Sequence, residues 1–272
     1  MLQLYYRRKN RSRGAGNGRS HHRNRDLALS FPLDGITGVT GAWSFGRRLL
    51  SAYGGTLADA VGGNTTVYNQ QGTTLRNLTQ TGTRQPTLTT AGPSSRPCGD
   101  FDGTDDCLNG QSAATMTALG STSTLYVIIS GIFDTLTLND GSTKDRNHRI
   151  FIDTLDDWGM AGRLGGNLYA FNFDGTFDYA DSGAAAIVAG TAYVLEWRHS
   201  GGNVAGAINN AAEFTLASGN TSNGAGLISM GGLASGTGAF DGKIFEMATC
   251  NAVPTAPQRA ALIANFRQWC GA

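Results

Sequence analysis

Arg96 to Leu108, RPCGDFDGTDDCL, is the stretch whose reading decides the fold. Asp102-Gly103 lies between two short apolar runs, which predicts a two-residue β-turn: Gly takes positive φ freely, Asp tolerates it, and the turn's twist matches that of antiparallel strands. In that hairpin register Phe101 faces Thr104 and Cys98 faces Cys107. The two cysteines are then close enough for a disulfide if both point to one face, with two buried thiols as the open alternative. The same pair recurs at Asp140-Gly141, Asp174-Gly175 and Asp241-Gly242, each beside strand-forming residues, so an all-β chain is expected.

Working outward, strands are predicted over Thr124–Ser130, Arg149–Asp153, Asn167–Phe173, Tyr193–His199, Asn203–Ile208, Leu227–Gly231 and Lys243–Thr249. Tyr169, Phe171 and Phe173 share one face at period two, as do Tyr193, Leu195 and Trp197, which is the signature of a half-buried antiparallel strand. Trp43 to Tyr53 reads as a short helix, and Pro86, Pro93 and Pro97 keep their segments out of central strands. At the end the period changes to that of a helix from Thr255 to Trp269, with Thr255 as cap, Pro257 in the first turn and Gly271 just beyond.

Composition agrees with many short strands. The 272 residues are 40% apolar and only 15% charged, with 39 glycines. Glu occurs only at 196, 213 and 246, whereas the turn-former Asp is abundant. Such a chain can bury one large core. The four cysteines form no CxxC pair and lie near no His at metal-ligand spacing, which argues against zinc. No apolar run is long enough for a membrane helix, and no secretory signal is expected. Charge is segregated: residues 1–25 hold eight basic residues and no acid, beside an acidic body. The expected organisation is an extended basic arm over residues 1–30, tipped by Leu2, Leu4, Tyr5 and Tyr6, and one domain over residues 31–272.

Four segments carry a family resemblance: RPCGDFDGTDDCL; STLYVIISG; TAYVLEWRHSGGNVAGAINNAAEF; and GLISMGGLASGTGAFDGKIFEMATCN followed by PTAPQRAALIANFRQW. Together they resemble the concanavalin A-like lectin/glucanase superfamily, in particular the LamG-type modules of extracellular and bacteriophage structural and tail-associated proteins. The resemblance implies an all-β, two-sheet antiparallel jelly-roll sandwich with an extended basic N-terminal arm and a short C-terminal helix, and a concave face that binds sugar in many relatives. The upstream GAWSFGRRLLSAYGG and QQGTTLRNLTQTGTRQPTL are similar to the opening of phage tail-associated members and of a fungal-type arabinofuranosidase domain.

Chemistry is sparse. A glycosidase needs two carboxylates flanking one bond, one of them with a raised pKa. The glucanase E-x-D-x-x-E string is absent, and Glu196 stands alone on its strand with Arg198 on the same side, which reads as an ion pair. Asp153, Asp156 and Asp157 read as turn residues more readily than as calcium ligands. Tyr169, Phe171, Phe173, Phe177 and Tyr179, with Trp158 nearby, read as core, or as a sugar platform if they line the concave face. His148 and His199 accompany no nucleophile motif, and GxSxG, Walker and GxGxxG loops are absent.

The function expected from the sequence is therefore a non-enzymatic bacteriophage virion structural protein that decorates the capsid or the tail surface. Its partners would be other virion proteins, copies of itself and host surface glycans. It would sit at the virion surface after assembly in the host cytoplasm, without cofactor or metal, nucleic acid or membrane insertion. Leu2, Leu4, Tyr5, Tyr6, Arg7, Arg8, Lys9, Arg11 and Arg13 would anchor the arm; Trp158, Tyr169, Glu196 and Arg198 would be the glycan contacts. The alternative is a glycoside hydrolase or carbohydrate-binding module acting on polysaccharide, in which Glu196, beside Arg198, would suit a nucleophile rather than a general acid.

Overall fold

The structure, a computed structural model, describes residues 31–51, 65–68, 70, 77–90, 92–110, 124–136, 148–153, 158–163, 165–173, 177–217, 227–233 and 238–272. The expected anchoring residues, Leu2 to Arg13, lie outside the described residues, as do Asp156 and Asp157.

Sixteen strands among the described residues form two antiparallel sheets. Sheet I runs β14 (Phe214–Ala217), β13 (Asn203–Ile208), β12 (Ala192–Ser200), β7 (Thr124–Phe133), β16 (Asp241–Cys250), β5 (Cys98–Asp102), β4 (Thr87–Thr89). β1 (Val39–Ser44) shares one side of β16 with β5, which pairs with the first half of that strand while β1 takes the second. Sheet II runs β11 (Phe177–Asp181), β10 (Leu168–Phe173), β9 (Trp158–Gly162), β8 (Arg149–Asp153), β15 (Ile228–Met230), β6 (Leu108–Gly110), β3 (Leu78–Gln80), β2 (Thr65–Val67).

The sheets face each other across one core. Tyr193, Leu195 and Trp197 of β12 point into it, as the period-two pattern requires, and meet Ile150, Phe151, Trp158, Met160, Leu168 and Ala170 of sheet II. Trp158 and Trp197 pack with ring centroids 5.3 Å apart, and Phe151 meets Trp197 edge-on at 6.2 Å. Burying such rings contributes roughly 1.5–3 kcal/mol each, and the Trp197 indole N–H is satisfied by the Phe171 carbonyl at 3.2 Å.

The opposite face of sheet I is covered by the single α-helix among the described residues, α1 (Ala256–Cys270). Leu262, Ile263, Phe266 and Cys270 recur at helical spacing and pack on Tyr126, Ile128, Val194, Phe245 and Ala248. The helix starts where the Thr255 N–H donates to Gln258 Oε1 at 3.0 Å, and it stops at Gly271, whose φ of 80° ends the turn in the left-handed region.

Four expectations are corrected. RPCGDFDGTDDCL is not a hairpin, because β5 belongs to sheet I and β6 to sheet II, so the segment is a corner carrying the chain between layers. The Asp-Gly grammar is still obeyed: Gly103 has φ 74°, Asp102 Oδ1 accepts the Thr104 N–H at 2.8 Å, and Asp106 Oδ2 accepts the Asp102 N–H at 2.9 Å. A turn fixed by its own side chains needs no strand pairing beyond it. The premise for a Cys98–Cys107 bridge disappears with the hairpin, and all four cysteines are free and buried. Trp43 belongs to β1 and is followed by irregular chain to Ser51 rather than a helix, and Asp241-Gly242 lies within β16 rather than in a turn.

Candidate functional site

Glu196 lies on the helix-covered face of sheet I. β12 turns Val194, Glu196 and Arg198 away from the core, and α1 lands on that side. Arg259, in the first turns of α1, places its guanidinium on the Glu196 carboxylate with Nε on Oε2 and Nη2 on Oε1, the latter at 2.9 Å. The Tyr126 hydroxyl donates to the same carboxylate at 2.8 Å. Arg198, the partner expected for Glu196, instead holds Glu213 in a two-pronged pair at 2.6–3.1 Å, and Arg259 reaches Glu213 at 3.5 Å. The hydrogen bond and charge of Arg198 hold the Glu213 carboxyl below the usual range.

The third glutamate repeats the pattern. Glu246 is fully buried under α1 and is gripped by Arg47, with Nε on Oε2 at 2.8 Å, while the Arg47 guanidinium stacks 4.7 Å from the Trp269 ring centroid. Desolvation raises its pKa against the opposing pull of Arg47. All three glutamates of the chain thus bind arginines on the helix side of sheet I. With Arg259 on both of its oxygens and the Tyr126 hydroxyl on one, the Glu196 carboxylate serves as a clamp between helix and sheet. Arg259 was legible as a signal: it shares the buried stripe of Leu262, Ile263 and Phe266, and an arginine there needs an anion beneath it.

The aromatic row resolves into two environments. Trp158 is fully buried in the core and offers nothing to a glycan, contrary to its expected role. On the outer face of sheet II, Phe171 is buried with Ile152, Ala161 and Leu233. Tyr169 is only 3% exposed, whereas Tyr179, the Cα partner of Phe171 on β11, keeps 44% exposure. Their rings lie 4.8 Å apart at 34°. Arg163 donates from Nη1 to the Tyr169 hydroxyl, and its guanidinium carbon lies 5.2 Å from that ring's centroid. Opposite Tyr169, Asp181 accepts the Asn167 amide at 3.0 and 3.1 Å and the Gly183 N–H at 2.8 Å. Tyr179 was expected within the aromatic row, whereas Arg163 and Asp181 were not; the antiparallel pairing of β10 with β11 sets Asp181 beside Tyr169, and Arg163 follows directly on β9.

At the corner after β5, the carboxylate oxygens of Asp102, Asp105 and Asp106 come within 4.8 Å of one another, a donor set of the hard-oxygen kind that suits calcium. Two of these oxygens already hold the corner's backbone, and burial pushes the Asp106 carboxyl up to about 6. The thiols are unsuited to nucleophilic chemistry, since burial lifts Cys98 and Cys250 to about 12 and Cys270 to about 11. His148 and His199 are both buried, and desolvation lowers the pKa of His148.

Neither a family profile nor a curated protein sequence matches the chain. Solved structures do. The chain is similar to a Trypanosoma rangeli sialidase in complex with the inhibitor DANA, with a TM-score of 0.54 and 11% identity over 82% of this chain and 32% of that one. It is similar to an arabinofuranosidase complexed with arabinofuranosyl-α-1,2-xylobiose, at 0.54 and 10% over 88% of this chain and 64% of the other. It is also similar to domain 4 of AbnA, an extracellular arabinanase from Geobacillus stearothermophilus, in complex with arabinotriose, at 0.54 and 14% over 84% and 99%. The chain spans about a third of the sialidase's length and nearly all of the arabinanase domain's. At these identities the likeness is one of fold. These neighbours are glycoside hydrolases or a domain of one, and they overturn both the expectation of a bacteriophage structural protein and the expectation that the chain is not an enzyme. The carbohydrate-active alternative fits them better.

Proposed function

We propose that residues 31–272 form a carbohydrate-active β-sandwich of the concanavalin A-like, jelly-roll type that engages polysaccharide. The observation that carries this reading is the match over 99% of an arabinanase domain whose structure contains arabinotriose, because it equates the two-sheet unit here with a whole domain there. The chain's crossing between layers after β5 and the helix closing the back of sheet I support the jelly-roll assignment. Fold does not dictate activity, so the chemistry is argued from the site and tested on the chain itself.

The test uses the full chain on arabinan, arabinoxylan, xylan and mixed-linkage β-glucan, by affinity electrophoresis for retention and by reducing-sugar release for turnover. Retention by at least one polysaccharide is expected. Release would assign hydrolysis to this chain, and retention without release would assign it recognition. Absence of both across the panel would overturn the reading.

A further inference from the structure

Resting on the carbohydrate reading just given, we infer that Tyr179, backed by Tyr169 and flanked by Arg163 and Asp181 on the outer face of sheet II, is a sugar-stacking subsite selective for a neutral glycan. Among the described residues four large hydrophobic side chains have substantial exposure: Val188, Leu216 and Val253 are aliphatic, and Tyr179 is the aromatic one. An exposed aromatic ring on a sheet face is an apolar surface offered to a ligand, and here the ring is held in place. One side of it lies against Tyr169, whose hydroxyl is tied by Arg163 and whose body is 3% exposed. Pre-ordering of this kind removes the entropy of immobilising the platform when a ligand arrives.

The surrounding polar groups match a sugar's hydroxyl rim. Asp181 sits across the strand pair from Tyr169, and its two oxygens spend lone pairs on Asn167 and Gly183. A carboxylate has about four acceptor sites, so capacity remains for ligand hydroxyls. A ring with one apolar C–H face and a rim of hydroxyls satisfies both features, in the way ligand sites pair an aromatic floor with a few fixed polar groups. Charge then selects within the class. Among the described residues the patch holds one cation, Arg163, which is turned onto Tyr169, and one exposed carboxylate, Asp181, so a uronate or sialate would bring its carboxylate against Asp181. A pentose or hexose unit of an uncharged chain meets no such penalty.

The experiment compares the full chain with Tyr179→Ala and Tyr179→Trp by affinity electrophoresis on arabinan, xylan and polygalacturonate, with a thermal melt of each. Tyr179→Ala should weaken retention on the neutral polysaccharide about tenfold or more while melting near the wild type, because the side chain is 44% exposed. Tyr179→Trp should retain binding and report the sugar by a change in its fluorescence. Unaltered retention of Tyr179→Ala would overturn the subsite and leave the carbohydrate reading standing. Preference for polygalacturonate would overturn the neutral-glycan assignment. Wild-type protein that neither binds nor cleaves any of these would overturn both.

Discussion

Removing the Arg259 side chain should loosen α1 from sheet I without touching glycan recognition. In Arg259→Ala the Glu196 carboxylate, whose side chain is 4% exposed, keeps only the Tyr126 hydroxyl as partner. Leaving a buried charge without its counterion costs about 3–5 kcal/mol; the 21% exposure of Arg259 opens a path for water and lowers the figure to about 2–4 kcal/mol. For a domain of this size each kcal/mol moves the melting temperature by roughly 2–4 °C, so a fall of about 5–15 °C is expected. Glu196→Gln should cost less, about 1–2 kcal/mol, since one oxygen still accepts from Tyr126 and Arg259 retains Glu213. The double variant Glu196→Leu/Arg259→Met removes both charges and should recover most of the loss. Calorimetry with hydrogen exchange across α1 reads this out: helix amides should exchange faster in Arg259→Ala, and polysaccharide retention should stay at the wild-type level. Stability within about 0.5 kcal/mol of wild type for Arg259→Ala would refute the clamp, as would a Glu196→Gln protein of unchanged stability that had lost hydrolysis.

Other outcomes follow from the same geometry. The Asp106 pKa is raised to about 6 by burial, so the folded state holds that proton more tightly than the unfolded chain and stability is lost as pH rises from about 4 through 6. Asp106→Asn keeps an oxygen for the Asp102 N–H and should gain up to about 3 kcal/mol over wild type at pH 8, with no gain at pH 4, in urea titrations. The four buried cysteines should resist a thiol reagent at pH 8 until the protein unfolds, and non-reducing peptide maps should show no bridge between Cys98 and Cys107; fast labelling of the native state would contradict their burial. Trp158→Ala should destabilise by about 3–5 kcal/mol, as an emptied core position does, with its effect seen in melts rather than in selective loss of glycan affinity.

The strand positions were largely legible in the sequence, because alternation and flanking turns are local signals. Arg149–Asp153 and Asn203–Ile208 are observed with the expected limits, and the terminal helix is displaced by one residue at each end. What was not legible is nonlocal. The corner at Asp102-Gly103 has the same residues as a hairpin turn, and only the pairing of β5 with β16 and of β6 with β15 distinguishes them. Trp158 and Tyr179 sit in equally aromatic stretches, yet one faces the other sheet and one faces out, which depends on register rather than on composition. The glutamate clamps were half visible: the need for an arginine beside Glu196 could be read, but its source on α1 lies 63 residues away.

The most direct test of the account is a crystal structure of the full chain soaked with a neutral arabino-oligosaccharide. The account predicts a sugar ring stacked on Tyr179 with hydroxyls on Asp181, and the Glu196–Arg259 pair undisturbed. A sugar bound on the helix side of sheet I against Glu196 and Glu213 would contradict it.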